Sequence, residues 1–438
     1  MKVLSLFDGI STGRLALENA GIPVDAYYAS EIDEGAIKIS EKNWPDIIRL
    51  GDVTMLDIEA LPTIDLIIGG SPCQGFSRNG NCLNFEDPRS KLFFVFAEIL
   101  EKLKAKNPDV LFLLENVIMK KEWRDVISDT LGVQPIEINS NLLSAQNRPR
   151  QYWTNIEGVK VPEDKGVRLI DILEDVPLET VEKNGVKFAT NTGKGISEQQ
   201  MELVHMVDGE VRINQATKQG YIVAEPGDGV NIQFPTSKTR RGRVVKGKSP
   251  TLDTSCEVCI YTGEAIRQYT LTELERLQTL PDGYTEAEGV SEDARRKAIG
   301  NGWTTEVITY IFSHIKGSDE LQGESYRESL STNKQNAEYF GTENQMIVLG
   351  EELGELSQAA AKWLRLYRQD PTLRDSAEEI REQLVEELAD VDIMTEQIRH
   401  LLGISEKEFH EKRREKIQKV ANAIAKEKRK RAERYWLY

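Results

Sequence analysis

Short apolar runs and longer amphipathic stretches alternate along the first part of the chain. The apolar runs occupy residues 3–7, 26–30, 66–69 and 110–115, and the helix-like stretches between them occupy residues 11–20, 34–42 and 92–103. Alternation of this kind predicts βαβ units, with a parallel sheet that is covered by helices on both faces. We therefore expect an α/β domain over residues 1–157.

The hydrophobic pattern changes three times after residue 157. Residues 158–247 are irregular and rich in turns, which predicts a smaller, partly β domain. Helical periodicity returns within residues 248–316, which we expect to complete the first domain. Residues 317–341 are polar and predict a linker, whereas residues 342–438 carry apolar residues at helical spacing and predict an all-α domain.

Composition narrows the class of protein. At 438 residues, with 39% hydrophobic and 29% charged residues, the chain is typical of a soluble protein of several domains. No apolar run approaches the roughly 18 residues that cross a bilayer, and the apolar start over residues 1–7 is too short for a signal peptide. Four cysteines in so long a chain form no disulfide framework. We therefore expect a cytoplasmic protein without a membrane partner.

Charge is distributed unevenly along the chain. The net charge of −16 is unfavourable for contacts with phosphate groups, which require Lys and Arg. Within residues 238–248, however, the basic residues are Lys238, Arg240, Arg241, Arg243, Lys246 and Lys248. This segment is either a nucleic-acid-binding surface or an ordinary solvated loop.

Glycines and acidic residues follow the predicted strands. The segment FDGISTG, residues 7–13, places two glycines between the first strand and the first helix, where main chain approaches a ligand. Glu31 follows the second strand and Asp52 the third, and carboxylates there accept hydrogen bonds from ribose hydroxyls and an adenine amino group. No lysine follows Gly13, which disfavours a phosphate-binding loop. These residues predict a site for a nucleoside-containing cofactor.

A cysteine, a glutamate and two arginines come next in the chain. Cys73 follows the third apolar run and Glu115 ends the fourth. A thiolate suits addition to carbon 6 of cytosine, which activates carbon 5, while a protonated or shared Glu115 carboxyl would hydrogen-bond nitrogen 3 of the base. Arg148 and Arg150 are two residues apart and would hold the base carbonyl, a phosphate or the Glu115 carboxylate. A base inside a duplex would have to flip out to reach them.

The order of these motifs resembles the DNA cytosine-5 methyltransferase family over residues 1–316. The resemblance also rests on the segments GGSPCQGFS (69–77), ENV (115–117), QNRPR (146–150) and GNG (300–302). It implies a Rossmann-like catalytic domain, a target-recognition domain within residues 158–247, S-adenosylmethionine as the methyl donor and double-stranded DNA as the partner. Gly302 and Trp303 depart from the family pattern, in which small or β-branched residues commonly follow the Asn.

The resemblance assigns roles to individual residues. Cys73 would be the nucleophile, Glu115 the acid, and Arg148 and Arg150 the residues that position the base. A loop that closes over the flipped base would comprise residues 79–85, Arg89 and Ser90. The methyl donor would be held by Phe7, Asp8, Gly9, Ile10, Thr12, Gly13, Glu31, Ile32, Asp52, Val53, Pro72 and Asn301.

Two pairs of acidic residues lie in the predicted C-terminal helices. Glu352 and Glu355 are three residues apart, as are Glu387 and Asp390, so each pair shares a helix face. Oxygen ligands of this kind select hard cations such as Mg²⁺. The two pairs resemble those of the MazG-like family of all-α nucleoside triphosphate pyrophosphohydrolases over residues 342–425. That resemblance implies nucleoside triphosphate substrates and a homodimer or higher oligomer formed through these helices.

The sequence favours a fusion of two enzymes, a methyltransferase followed by a nucleotide hydrolase. An RNA methyltransferase is the alternative for the first enzyme, because the same thiolate chemistry suits a cytosine in RNA. The alternative for the C-terminal helices is a role only in dimerisation and nucleic-acid anchoring. That role would use the basic run within residues 426–434.

Overall fold

The chain folds into two compact units, Met1–Ser318 and Asp319–Tyr438. The computed structural model describes residues 1–71, 91–315, 323–368 and 375–404, together with Lys412, Lys416 and Lys419. Among the helices of these residues, none combines the length and the apolar character needed to cross a membrane. The basic run within residues 426–434 lies outside the described residues.

A mixed β-sheet forms the centre of the first unit. Its strands are β1 (Lys2–Leu6), β2 (Ala26–Ser30), β3 (Ile48–Arg49), β4 (Leu66–Gly70), β5 (Leu111–Val117), β6 (Ile136–Asn139) and β7 (Pro149–Thr154). Counted over the described residues, the sheet has seven strands in the order β3-β2-β1-β4-β5-β7-β6. The pairs among β1 to β5 are parallel, whereas β7 is antiparallel to both β5 and β6. The predicted α/β fold is confirmed, but the sheet is mixed rather than wholly parallel.

Helices cover both faces of this sheet. The helices of the first unit are α1 (Thr12–Asn19), α2 (Glu34–Asn43), α3 (Lys91–Lys106), α4 (Lys121–Leu131), α5 (Glu198–Met201), α6 (Leu271–Leu277), α7 (Glu292–Asn301) and α8 (Thr305–Phe312). Leu4 and Ile67 pack with residues of α3 and α4, whereas Val3 and Ile68 pack with residues of α1 and α8. Successive strand residues point to opposite faces, so one apolar run serves two cores.

Shorter strands follow in the middle of the chain. They are β8 (Thr180–Lys183), β9 (Val186–Ala189), β10 (Val204–Val207), β11 (Glu210–Asn214), β12 (Tyr221–Ala224), β13 (Asp228–Asn231), β14 (Arg243–Val245), β15 (Cys259–Tyr261) and β16 (Ile266–Gln268). Over the described residues they form one sheet ordered β10-β11-β12 and another ordered β14-β13-β15-β16-β9-β8. The second sheet continues beyond residue 247, the predicted end of the β region, because β15 pairs with β13.

The second unit contains a helix pair. The helix Gly323–Tyr367, hereafter the long helix, packs against the helix Ala377–Leu401. The long helix begins inside the stretch predicted to be a linker, and its helical geometry is interrupted at Gly341, where φ is 75°. Leu353 and Leu388 are among the apolar residues at helical spacing, yet they are 49% and 52% exposed, because two helices alone bury only one stripe of each other.

Candidate active site

A cavity of about 520 Å³ opens at the carboxyl ends of the parallel strands. That volume lies in the range of small-molecule sites, roughly 300–1,000 Å³. Arg150 reaches the same edge because β7 runs antiparallel to β5 and pairs Arg150 with Val117. The predicted donor residues that line the cavity are Phe7, Asp8, Gly9, Ile10, Thr12, Gly13, Glu31, Ile32, Asp52, Val53 and Asn301.

The turn between β1 and α1 forms one wall of the cavity. Phe7, Gly9 and Ser11 have φ values of 58°, 58° and 59°. Two of these residues are not glycine, and the left-handed conformation costs about 1–2 kcal/mol for such a residue. A Cβ at Gly13 would lie 2.4 Å from Cδ1 of Ile68. Glycine at this position therefore lets α1 pack closely against β4.

Asp8 lies within this turn, and its carboxylate is engaged by neighbouring side chains. The Tyr27 hydroxyl donates to Oδ1 over 2.9 Å, the Ser11 hydroxyl donates to Oδ2, and Arg49 lies 3.5 Å from Oδ2. Burial raises the pKa of Asp8, although hydrogen bonds from Ser11, Ser5 and Tyr27 oppose that rise. The role of Asp8 in holding the methyl donor stays a prediction: the residue lines the cavity, and both of its carboxylate oxygens accept hydrogen bonds from neighbouring side chains.

The carboxylates of Glu31 and Asp52 follow β2 and β3. Glu31 Oε1 accepts hydrogen bonds from the amides of Ile32 and Asp33 over 2.7 and 2.8 Å, and Oε2 accepts one from the Gly9 amide over 2.8 Å. Asp52 caps a short 3-10 helix, and hydrogen bonds from the amide and hydroxyl of Thr54 lower the pKa of Asp52. These contacts fix both carboxylates at the cavity. Ile32 beside them is 71% exposed and offers an apolar surface.

Glu115 lies on the opposite wall of the cavity. The sheet register places it between Gly70 of β4 and Tyr152 of β7. Arg150 Nε lies 2.8 Å from Glu115 Oε1, and the indole N–H of Trp303 donates to Oε2 over 3.1 Å. Each oxygen of the carboxyl group therefore has a fixed donor. The structure brings Glu115 and Arg150 together, as predicted.

Asn116 holds the segment that leads towards the predicted nucleophile. Its buried amide donates to Ser71 Oγ over 3.1 Å and to the Ser71 carbonyl over 3.3 Å. The predicted residues that lie outside the described residues are Pro72, Cys73, residues 79–85, Arg89 and Ser90. The last described residue before them is therefore anchored beside Glu115.

Arg148 is occupied differently from Arg150. Its guanidinium donates to the carbonyls of Leu252, Gly300 and Gly302 over 2.8, 2.9 and 3.1 Å, and the side chain is buried. Burial, and next the charge of Arg150, lowers the pKa of Arg148 to about 9. The role of Arg148 towards the base stays a prediction: the residue lines the cavity, and its guanidinium also ties three main-chain carbonyls together.

Sequence reasoning missed the contacts of Lys297 and Trp303. Lys297 lines the cavity and forms an ion pair of 2.5 Å with Asp33. In the sequence, Trp303 stands out only as a departure from the family pattern. Its partner Glu115 is 188 residues away in the chain, so that departure was the one signal that pointed to it.

The basic segment over residues 238–248 is only partly exposed. Lys246 forms ion pairs with Glu225 and Asp228 over 3.0 and 2.9 Å. The Lys248 ammonium donates to three main-chain carbonyls, and burial lowers its pKa. Lys238 and Arg243 are exposed. Two of the six basic side chains, those of Lys246 and Lys248, thus have partners within the protein. Fewer of the six are therefore left to contact phosphate groups.

The second unit brings three of its four predicted metal ligands together. Single carboxylate oxygens of Glu352, Glu387 and Asp390 all lie within 4.8 Å of one another, and the three side chains are half-buried. The pKa values of Glu352 and Glu387 are both raised, mainly because these carboxyl groups are partly removed from solvent. The charges of neighbouring acidic residues, including Glu355, raise them further. Glu355 therefore lies close enough to act on the cluster, although it is more exposed.

Comparison with known proteins identifies the first unit. The model of the family described as C-5 cytosine-specific DNA methylase matches residues 1–131 and 136–317. The orphan methyltransferase M.SPRI of Bacillus phage SPR is 42% identical over 169 residues, which are 36% of this chain and 38% of that protein. The type II methyltransferase M.NgoBV of Neisseria gonorrhoeae is 33% identical over 176 residues, 35% of this chain and 41% of that protein.

The extent of these matches is limited. This chain spans about two fifths of the length of the two methyltransferases. The solved structure of the Entamoeba histolytica methyltransferase EhMeth is 17% identical, covers 72% of this chain and 97% of its own, and has a TM-score of 0.48. The family model extends over most of the sequence and ends at residue 317, next to the boundary of the first unit. The chain therefore belongs to the C-5 cytosine-specific DNA methylase family.

Proposed function

We propose that the first unit methylates carbon 5 of cytosine in double-stranded DNA, with S-adenosylmethionine as the methyl donor. The observation that carries this proposal is one cavity lined both by Glu31 and Asp52 and by Glu115 and Arg150. The first two carboxylates suit a nucleoside, and the second pair suits a base. A transferase must hold both reactants within reach of each other, and a shared cavity meets that requirement.

The residues of the cavity fit this donor. The Glu31 and Asp52 carboxylates are acceptors for the hydroxyl and amino groups of an adenosine. Ile32 is 71% exposed at the cavity, where an adenine ring would cover it. When bound, S-adenosylmethionine supplies an electrophilic methyl group. Asn301 and the turn at Gly9 would hold the remainder of the molecule.

The remaining residues act on the cytosine. The Cys73 thiolate forms a bond to carbon 6, and the ring electrons then make carbon 5 nucleophilic. A Glu115 carboxyl that is protonated, or shares its proton with the base, donates a hydrogen bond to nitrogen 3 and stabilises the negative charge that the addition places on the ring, while Arg150 holds Oε1 of Glu115. After carbon 5 has gained the methyl group, it loses its proton to a base, and the departing Cys73 thiolate restores the aromatic ring. The cytosine reaches the cavity by flipping out of the duplex.

The test is transfer of labelled methyl groups to duplex DNA and, in parallel, to RNA. We expect transfer to DNA, and a loss of about three orders of magnitude or more in Cys73→Ser, as for other removed nucleophiles. Cys256→Ser is the matched control, because Cys256 is buried away from the cavity and its thiol donates to main-chain carbonyls, as a serine hydroxyl also does. Full activity of Cys73→Ser would refute the mechanism, and transfer to RNA alone would replace the substrate.

We further propose that the second unit is a MazG-like hydrolase that releases pyrophosphate from nucleoside triphosphates with Mg²⁺. The cluster of Glu352, Glu387 and Asp390 carries this proposal. Carboxylates so close repel one another unless a cation lies between them, and hard cations that choose such ligands also bind triphosphate oxygens. The exposed Leu353 and Leu388 support pairing of these helices with those of a second copy.

Release of pyrophosphate from nucleoside triphosphates, with and without Mg²⁺, tests this second activity. Glu387→Gln and Glu355→Gln should abolish Mg²⁺-dependent release. Glu382→Gln should leave it unchanged, since Glu382 lies on the same helix but is exposed. If the wild type turns over no nucleotide, the alternative holds, in which these helices serve only in dimerisation and nucleic-acid anchoring.

A further inference from the structure

The indole of Trp303 spans the two parts of the cavity. Its N–H donates to Glu115 Oε2 over 3.1 Å, on the side assigned to the base. Its ring atom Cζ3 lies 3.5 Å from the position that a Cβ on Gly13 would occupy, on the side assigned to the donor. One side chain therefore lies beside Gly13 of α1 and donates to Glu115 at the same time.

Gly70 provides the space for this contact. A Cβ at Gly70 would lie 3.0 Å from Glu115 Oε2 and 3.0 Å from Trp303 Nε1, the two atoms that form the hydrogen bond. The strand register places Gly70 directly beside Glu115. A larger residue here would push the two partners apart. The absence of a side chain at Gly70 is thus matched to the hydrogen bond between Trp303 and Glu115.

Two donors fix the orientation of the Glu115 carboxyl group. The terminal torsion of a glutamate side chain is broad, so a single donor leaves the group free to rotate. Arg150 Nε holds Oε1 at 2.8 Å, and Trp303 holds Oε2. The position of Trp303 is itself constrained, because Arg148 and Gln278 both donate to the carbonyl of the preceding Gly302.

We infer that Trp303 is a positioning residue for the proposed methyl transfer, and that it acts by orienting the carboxyl group of Glu115 towards the base. This inference rests on the proposed function of the first unit. The inference also explains the departure from the family pattern at Trp303, because a small or β-branched residue has no ring N–H that could donate to Glu115. Arg150 and Trp303 together orient the acid from its two sides.

The full-length Trp303→Phe variant tests the inference, because phenylalanine keeps an aromatic ring but lacks the N–H donor. Loss of the hydrogen bond that orients Glu115 should lower kcat by about 10-fold. The Kd for S-adenosylmethionine, measured by calorimetry, should stay within about two-fold if the ring's packing is retained. Trp153→Phe is the control. This variant also removes a hydrogen bond from an indole N–H, which Trp153 donates to Ser128 Oγ over 3.0 Å, but Trp153 does not line the cavity.

A double-mutant cycle separates positioning from packing. In a Glu115→Ala background, single-turnover rates should not change when Trp303→Phe is added, because there is no carboxyl group left to orient. The inference would be overturned if Trp303→Phe lowered the rate by the same factor in the Glu115→Ala background as in the wild type. An unchanged kcat in Trp303→Phe, or a loss of affinity for S-adenosylmethionine as large as the loss of kcat, would overturn it as well. These results presuppose an active wild type; a wild type that transfers no methyl group would overturn the proposed function, and the inference with it.

Discussion

Among single residues, Arg148 and Arg150 show how neighbours of the same type acquire different tasks. Arg150 is the second residue of β7 and forms an ion pair with Glu115, whereas Arg148 precedes the strand and donates to main-chain carbonyls. A guanidinium group has five donors in a planar fork, which lets Arg148 serve three acceptors at once. The same chemistry thus joins main-chain segments at one position and holds the Glu115 carboxylate at the other.

We predict that Arg148→Met lowers the free energy of unfolding of the first unit by about 2–3 kcal/mol, because the buried carbonyls of Leu252 and Gly300 each lose a hydrogen-bond donor. Arg150→Met should change that free energy by less than about 1 kcal/mol, yet lower kcat by about 100-fold. Urea denaturation followed by tryptophan fluorescence measures the first quantity, and labelled methyl transfer the second. Equal losses of stability in the two variants would contradict the assignment.

Among the elements, the end of α7 depends on close packing of main chain. A Cβ at Gly300 would lie 2.1 Å from the carbonyl oxygen of Asp253 and 2.9 Å from Cα of Thr254. These are backbone atoms, which cannot rotate away as a side chain can. A Cβ at Gly302 would be 3.3 Å from its nearest neighbour, the Ala298 carbonyl oxygen. The two glycines that flank Asn301 are therefore not equivalent.

We predict that Gly300→Ala destabilises the first unit by about 1–3 kcal/mol, as overpacking of a dense interior does. It should also weaken binding of S-adenosylmethionine, because Asn301 lines the cavity and moves with the helix end. Gly302→Ala should cost less than about 1 kcal/mol. Thermal denaturation and calorimetric titration of the donor compare the two variants. A larger effect of Gly302→Ala would show that the contact with Asp253 is unimportant.

For the whole molecule, charge limits how the first unit meets its proposed DNA. The net charge of the whole chain is −16, so basic side chains that face the solvent must provide the contacts with phosphate. Arg243 and Lys238 are exposed, whereas Lys246 is paired with Glu225 and Asp228. Lys246 is exposed as well, so pairing with carboxylates, rather than exposure, distinguishes it from Arg243 and Lys238 as a contact for DNA.

We predict that Arg243→Ser weakens binding of duplex DNA of any sequence and reduces the slope of log K against log salt concentration by about 1, as the loss of one phosphate contact does. Lys246→Ser should leave that slope unchanged, because the ammonium group of Lys246 already has two carboxylate partners. Fluorescence anisotropy over a range of salt concentrations measures both variants. An equal change in slope for the two would mean that the ion pairs of Lys246 open on DNA.

The sequence by itself determined those features that depend on neighbouring residues. The apolar run at residues 26–30 became β2 with the same bounds, since strand periodicity is a local property. The residues between Phe7 and Gly13 that were predicted to hold the methyl donor line the cavity, because the turn between β1 and α1 is one continuous segment. Glu31, Asp52 and Glu115 also reached the cavity, because parallel strands end at one edge of a sheet.

Only the tertiary structure decided which residues meet across long distances in the chain. The antiparallel direction of β7 brings Arg150 to Glu115, and the pairing of β15 with β13 extends a sheet beyond residue 247. The different tasks of Arg148 and Arg150 and the hydrogen bond from Trp303 to Glu115 belong here as well. Such contacts depend on how separate elements pack, and the local pattern of polar and apolar residues does not predict them.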